Sequence, residues 1–134
     1  MGARDCLSML VVDAANVVGS RPDGWWRDRP GAARRLIERL RQSAAAGALD
    51  VPLVVVLEGQ ARRAAPEGTG DGVEVVHAAG SGDDAIVALV RVAAGGATVV
   101  SADRELRARV RRVGAHVVGP RWLLDRLDRP QPGV

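Results

Sequence analysis

Five carboxylates stand where a parallel α/β sheet would gather them: Asp13, Glu58, Asp83, Asp84 and Asp103. Like charges drawn to one place repel one another unless a cation stands among them. The donor set is all oxygen, with no suitable cysteine and no histidine beside the acids, so it favours Mg²⁺ or Mn²⁺ over zinc. Such an ion polarises a phosphoryl oxygen and lowers the pKa of a bound water, giving a nucleophile at neutral pH. Asn16, three residues after Asp13, could orient that water or a phosphate, or could simply close a turn. Ser101 could hydrogen-bond a metal ligand or cap the helix that follows it. Asp84 has a plain alternative as a helix cap.

The elements that must position these residues are legible in the apolar pattern. Residues 7–13 form a near-continuous apolar run ending in Asp13, which reads as a strand buried on both faces. Residues 14–29 read as a loop, and Pro30 suits the first turn of a helix carrying Ala33, Leu36, Ile37, Leu40 and Ala44 at helical spacing. Gly47 ends that helix. A second strand covers 53–58, a glycine-rich loop 59–72 with a short helical piece near Arg62, and a third strand 73–77. Ser81 caps a helix over 83–94, nearly all apolar and therefore expected to be central. A strand at 97–101, an amphipathic helix at 103–113, a short strand at 117–118 and a helix at 120–127 complete the core, with a frayed tail beyond residue 128. This βαβα alternation predicts a single domain over 1–134, its core about 7–128, with a parallel sheet and helices on both faces. Ligands bind such sheets beyond the carboxyl ends of the strands, where the strand order reverses. If the first and fourth strands are neighbours there, Asp13 and Asp103 face each other across the crevice.

Composition narrows the chemistry. All 19 basic residues are Arg, so the lysine of a P-loop or of a Schiff base does not exist here. The net charge of +3 and pI near 10.8 suit a polyanionic partner, since guanidinium grips phosphate in bidentate fashion. A single Cys6 allows neither an internal disulfide nor a cysteine zinc site. No signal-peptide pattern or membrane-length apolar stretch is present, so a cytoplasmic protein with no membrane partner is expected. The only aromatic residues are Trp25, Trp26 and Trp122, which makes the core aliphatic.

Three segments together resemble the PIN-like nuclease superfamily, and its NYN branch in particular. They are Val11-Val12-Asp13-Ala14-Ala15-Asn16, then Gly82-Asp83-Asp84-Ala85-Ile86, then Val99-Val100-Ser101-Ala102-Asp103. The resemblance spans about residues 7 to 120. It implies a three-layer α/β/α sandwich with a mostly parallel five-stranded sheet in the order 3-2-1-4-5. It also implies Mg²⁺- or Mn²⁺-dependent endonucleolytic hydrolysis of RNA. Carried over, Asp13, Asp83 and Asp103 hold the metal, with Asn16 and Ser101 supporting. Asp83 is preferred to Asp84 as ligand because it lies three residues before Ile86, and Glu58 matches the variable fourth acid by position alone. Ala14-Ala15 stand where bulkier residues are common in the family, which points to a different substrate.

For nucleic acid, Arg104, Arg107 and Arg111 make one stripe on the helix that starts beside Asp103; Arg104 adjoins the site, while Arg107 and Arg111 read equally well as a solvated helix face. The loop Arg21-Pro22-Asp23-Gly24-Trp25-Trp26-Arg27 offers stacking faces flanked by guanidinium; one tryptophan is expected to pack inward and the other to meet ligand. His77 and His116 read as structural. Gly80-Ser81-Gly82-Asp83-Asp84-Ala85 also matches a dinucleotide fingerprint, but two carboxylates at that helix start would repel a pyrophosphate, so no nucleotide cofactor is expected. A haloacid-dehalogenase-type phosphatase fails because Ala15 replaces its second Asp and its lysine is missing. The remaining alternative is a catalytically silent PIN-like domain that binds RNA or a protein; a homodimer stays open.

Overall fold

The apolar runs that end in acids become the central strands of one sheet. The computed structural model describes residues 9–49, 51–93 and 96–128. Cys6, the start of the first predicted strand and the predicted tail at 129–134 lie outside them. In chain order the elements are β1 (Met9–Asp13), α1 (Ala14–Gly19), a 3₁₀ turn (Trp25–Arg27), α2 (Arg29–Ala45), β2 (Leu53–Leu57) and a second 3₁₀ turn (Gly59–Ala64). There follow β3 (Gly68–Gly70), β4 (Val73–His77), α3 (Gly82–Val92), β5 (Ala97–Val100), α4 (Arg104–Arg112), β6 (His116–Val118) and α5 (Pro120–Asp128).

The sheet has six strands in the order β3-β4-β2-β1-β5-β6. Its five parallel strands keep the expected order. The correction is β3, an antiparallel edge strand inside what reads as a loop, with Gly70 opposite Val73. Asp71 (φ 52°) and Gly72 (φ 81°) form the two-residue turn between them. Positive φ at both positions fits a primed hairpin turn, for which Asp-Gly is a preferred sequence. A second correction is α1, a short helix inside the predicted 14–29 loop, capped by Asp13 and seated through Ala14 and Val17.

Side chains alternate across the sheet as strand geometry requires. Leu10, Val12, Leu53, Val55, Leu57 and Val100 pack toward α1, α2 and α5, whereas Val11, Val56, Ala97 and Val99 pack toward α3 and α4. Each such valine or leucine, fully buried, contributes about 1.5–3 kcal/mol. The sheet is therefore covered on both faces, as the apolar runs require.

α2 carries its stripe at Ala33, Leu36, Ile37 and Leu40. Its start is locked by Asp28, whose carboxylate accepts from Gly31 N at 3.0 Å. A Cβ at Gly31 would lie 2.1 Å from the Asp28 carboxylate, so a larger residue there would displace the cap. α3 is less central than its composition suggests. Ile86, Val87 and Val90 are buried, but Val92 is 87% exposed.

Candidate active site

Chain order places the site. β1 leads through α2 to β2 on one side of the sheet, and α3 later leads to β5 on the other, so order reverses between β1 and β5. The parallel register Val12↔Val100 sets Asp13 beside Ser101 at the carboxyl ends of these strands. Ser101, fully buried, donates its hydroxyl to Asp13 Oδ2 at 2.9 Å and accepts from Asp103 N at 3.1 Å. Asn16 Oδ1 accepts from Ala102 N at 2.8 Å. Residues 86 positions apart in the chain are thus stitched together across the crevice. Asn16 and Ser101 hold the exits of β1 and β5 together.

Asp13 is only 7% exposed. Burial pushes its carboxyl up from 3.8 to about 6, while the Ser101 hydroxyl and a long bond from Asn16 N pull the other way. The negative charges of Asp83 and Glu58 add to the rise. Asp83, half-buried in the first turn of α3, is also raised, by burial first and then by the charges of Asp103 and Glu58. Arg109 opposes this from α4. Asp13, Glu58, Asp83 and Asp103 therefore share one electrostatic neighbourhood.

Glu58 follows β2 and its carboxylate accepts from Gly82 N, tying the second strand to the start of α3. A Cβ at Gly82 would stand 3.0 Å from Glu58 Oε1, so a larger residue would push this acid away. That amide is the one a pyrophosphate would need in the dinucleotide fingerprint. Asp103 caps α4, accepting from Leu106 N at 3.0 Å.

Asp84 does not join the group. Its side chain is 75% exposed and pairs with Arg109 at 3.0 Å, and Ser81 caps its amide at 3.2 Å. Of the adjacent pair, Asp83 is the one whose charge is felt by Asp13. Arg109 itself was not foreseeable from the sequence, because it reaches α3 only through the packing of α4 on α3.

Arg21 is a further correction. It pairs with Asp128 at 2.8 Å, and Arg39 binds the same carboxylate, so Arg21 is engaged at the end of α5 rather than offered to ligand. Trp25 is half-buried with its ring against Gly19, and Trp26 is 53% exposed. Arg27 and Arg29 lie over Trp26 and Trp25, 5.7 Å and 5.5 Å from the ring centroids. Arg104 and Arg111 are exposed on α4, and Arg107 is half-buried. His77 contacts the Ala65 carbonyl at 2.8 Å, a structural task, and His116 is exposed.

Among the described residues, no three His, Cys, Asp or Glu side chains stand close enough to grip one ion as they lie. The donor chemistry nonetheless fits a hard cation. Mg²⁺ keeps several waters and needs only one or two protein carboxylates, and a positive charge would offset the burial and then the repulsion that raise Asp13 and Asp83.

The layered sheet, five of its six strands parallel, is an α/β/α sandwich. The structure is similar to that of Rae1 (YacP) from Bacillus subtilis, with a TM-score of 0.71 at 20% identity, covering 90% of this chain and 74% of that one. A tryptophan-to-leucine mutant of the same protein gives a TM-score of 0.71 at 21% identity, covering 90% and 75%. At these identities the likeness establishes the fold. No protein-family model and no curated protein sequence matches the chain.

Proposed function

We propose that this chain is an Mg²⁺- or Mn²⁺-dependent endoribonuclease of the PIN-like, NYN kind, acting on cytoplasmic RNA. One observation carries the reading. Asp13 is buried at the switch point of a PIN-like sheet with Asp83 and Glu58 raising its pKa, and no protein cation among the described residues pairs with it. A buried carboxylate without a cation costs on the order of several kcal/mol, and the α1 cap and the Ser101 hydroxyl offset only part of that.

Asp13, Asp83 and Asp103 would hold the ion, with Glu58 at the rim. The bound metal supplies an activated water and offsets charge on the scissile phosphate. The chain's own part is positional. Ser101 holds Asp13 and the Asp103 amide together, Asn16 fixes the Ala102 backbone, and Glu58 anchors the helix that carries Asp83. These hydrogen bonds keep the acids in place for in-line attack.

The test is incubation of structured and unstructured RNAs, with a matching DNA, in Mg²⁺, Mn²⁺ or EDTA. Wild-type protein is expected to cleave only with metal, and Asp13→Asn and Asp103→Asn to be inactive. Cleavage that survives both substitutions rejects the assignment.

A second reading, a silent module that binds RNA or a protein, is favoured by one observation. The acids do not converge on a single ion position as they lie, and Asp13 and Asp103 both serve as helix caps. RNA binding that ignores EDTA, with no cleavage under any metal, would select it.

A further inference from the structure

Beside the acids, the groove between α1 and the second 3₁₀ turn opens into a cleft of about 400 Å³. That volume is within the range of about 300–1,000 Å³ typical of small-ligand sites. Its walls are small and apolar (Ala14, Ala15, Ala33 and Ala61), with Trp25 as the one large flat surface. Its polar side chains are Arg29, Glu58 and Gln60, and Glu58 leads directly to the acid cluster. Two further hollows continue from it past Gln60, one bordered by Arg29 and Arg63, the other by Arg62 and Arg63.

The charge here is unbalanced. Among the described residues, Arg27, Arg29 and Arg63 make no ion pair. Both acids that border them are already engaged: Asp28 accepts from Gly31 N to cap α2, and Glu58 accepts from Gly82 N. A flat ring that carries the Arg29 guanidinium 5.5 Å from its centroid, a hydrogen-bonding rim and guanidiniums without carboxylate partners match the three parts of a nucleotide: base face, base edge and phosphate.

We propose that this cleft receives one unpaired nucleobase of a single-stranded RNA against Trp25, with the neighbouring phosphates on Arg29 and Arg63. The inference rests on the nucleic-acid reading of the same site and specifies its substrate: a paired base keeps its faces inside the helix and cannot enter. Glu58 and Gln60 then read the base edge, and the strand continues over Asp13 and Asp83. The alanines at 14 and 15 are what leave room for the base.

Binding is measured in EDTA, where the strand stays intact, by fluorescence anisotropy of a short labelled RNA, free or annealed to its complement. The single strand is expected to bind at least about 10-fold tighter than the duplex, and Trp25→Ala to weaken it about 5–100-fold. Ala15→Leu, at an exposed cleft position away from the core, fills the cleft and leaves Trp25 in place, and is expected to weaken binding similarly. Arg29→Ala with Arg63→Ala should flatten the salt dependence by about 0.7 for each phosphate no longer neutralised. Equal affinity for duplex and single strand, or wild-type affinity in Ala15→Leu, overturns the proposal. If these binding results hold in a protein that never cleaves RNA, only the nuclease reading fails. Cleavage that persists while Ala15→Leu binds normally sinks the cleft alone.

Discussion

Asp13 and Asp128 are both aspartates at helix ends, and a local rule ranks them in the wrong order. Asp13 caps the start of α1, where a negative charge is favoured, and Asp128 ends α5, where it is disfavoured. Yet burial holds the Asp13 carboxyl up near 6, whereas hydrogen bonds from Arg39 and then Arg21 hold Asp128 below the usual range. The difference lies in burial first and in company second. Asp128 is an exposed acid with two guanidiniums, and Asp13 is a buried one facing Asp83 and Glu58. Asp84, paired with Arg109, belongs with Asp128. Asp128 and Asp84 have cationic partners, whereas Asp13 and Asp83 feel mainly other acids.

Catalysis separates the two groups most sharply. Asp103→Asn keeps a cap at the start of α4 but removes a negative charge from the cluster. RNA cleavage in Mn²⁺ is expected to fall on the order of 10³-fold, while Asp84→Asn stays within about threefold of wild type. Equal losses in both variants would erase the distinction.

Ser101→Ala comes next. It strips the hydroxyl from Asp13 and the acceptor from the Asp103 amide without touching either carboxylate. Losing an orienting partner of a metal ligand typically costs about 10–100-fold. Ser101→Thr restores the hydroxyl and should recover part of the rate. A positioning role also predicts that more Mn²⁺ compensates, so the loss should shrink as metal is raised.

The third effect is on stability and has the opposite sign. Asp13 has a folded pKa near 6 against 3.8 for the free group, so the fold binds its proton more tightly than the unfolded chain does. Stability from this group is complete below pH 3.8 and is lost as pH rises through 6. The shift corresponds to about 3 kcal/mol at neutral pH. An amide at 13 meets Ser101 less well than a carboxylate, so metal-free Asp13→Asn is expected to gain about 1–2 kcal/mol at about pH 7.5 and nothing at about pH 3.5. Urea melts at the two pH values measure it. Added Mn²⁺ should then stabilise wild type and leave the variant unchanged.

How much of this was legible in the sequence differs by the range of the interaction. The strands themselves, and the placing of Asp13 and Asp103 at strand exits, follow from apolar runs written within each segment, whereas the order of the parallel strands came only with the family resemblance. α1 was hidden because Val17-Val18-Gly19 is poor helix sequence, held by its cap and by burial of Val17 against the sheet. β3 has no apolar pattern, but Asp71-Gly72 was a readable hairpin signal that the surrounding glycines masked. The partners of Arg21 and Asp84 were not legible at all. Arg21 and Asp128 are 107 positions apart and meet only because α5 returns across α2.

That long-range pairing supplies the smallest effect. The Arg21 and Arg39 pairs with Asp128 are exposed, with the acid's side chain 48% accessible, so solvent screens them. Asp128→Asn is expected to cost less than about 1 kcal/mol at neutral pH. The Asp128 carboxyl is held low in the fold, so its contribution is present above the unfolded value of 3.8 and fades as pH falls below it. The pH dependence therefore runs opposite to that of Asp13. About 1 M salt should remove most of the Asp128 effect, because the screening length falls to about 3 Å, and should leave the gain in Asp13→Asn largely intact, because that carboxyl is buried. If urea melts in low and high salt changed both variants alike, burial would not be what distinguishes the two acids.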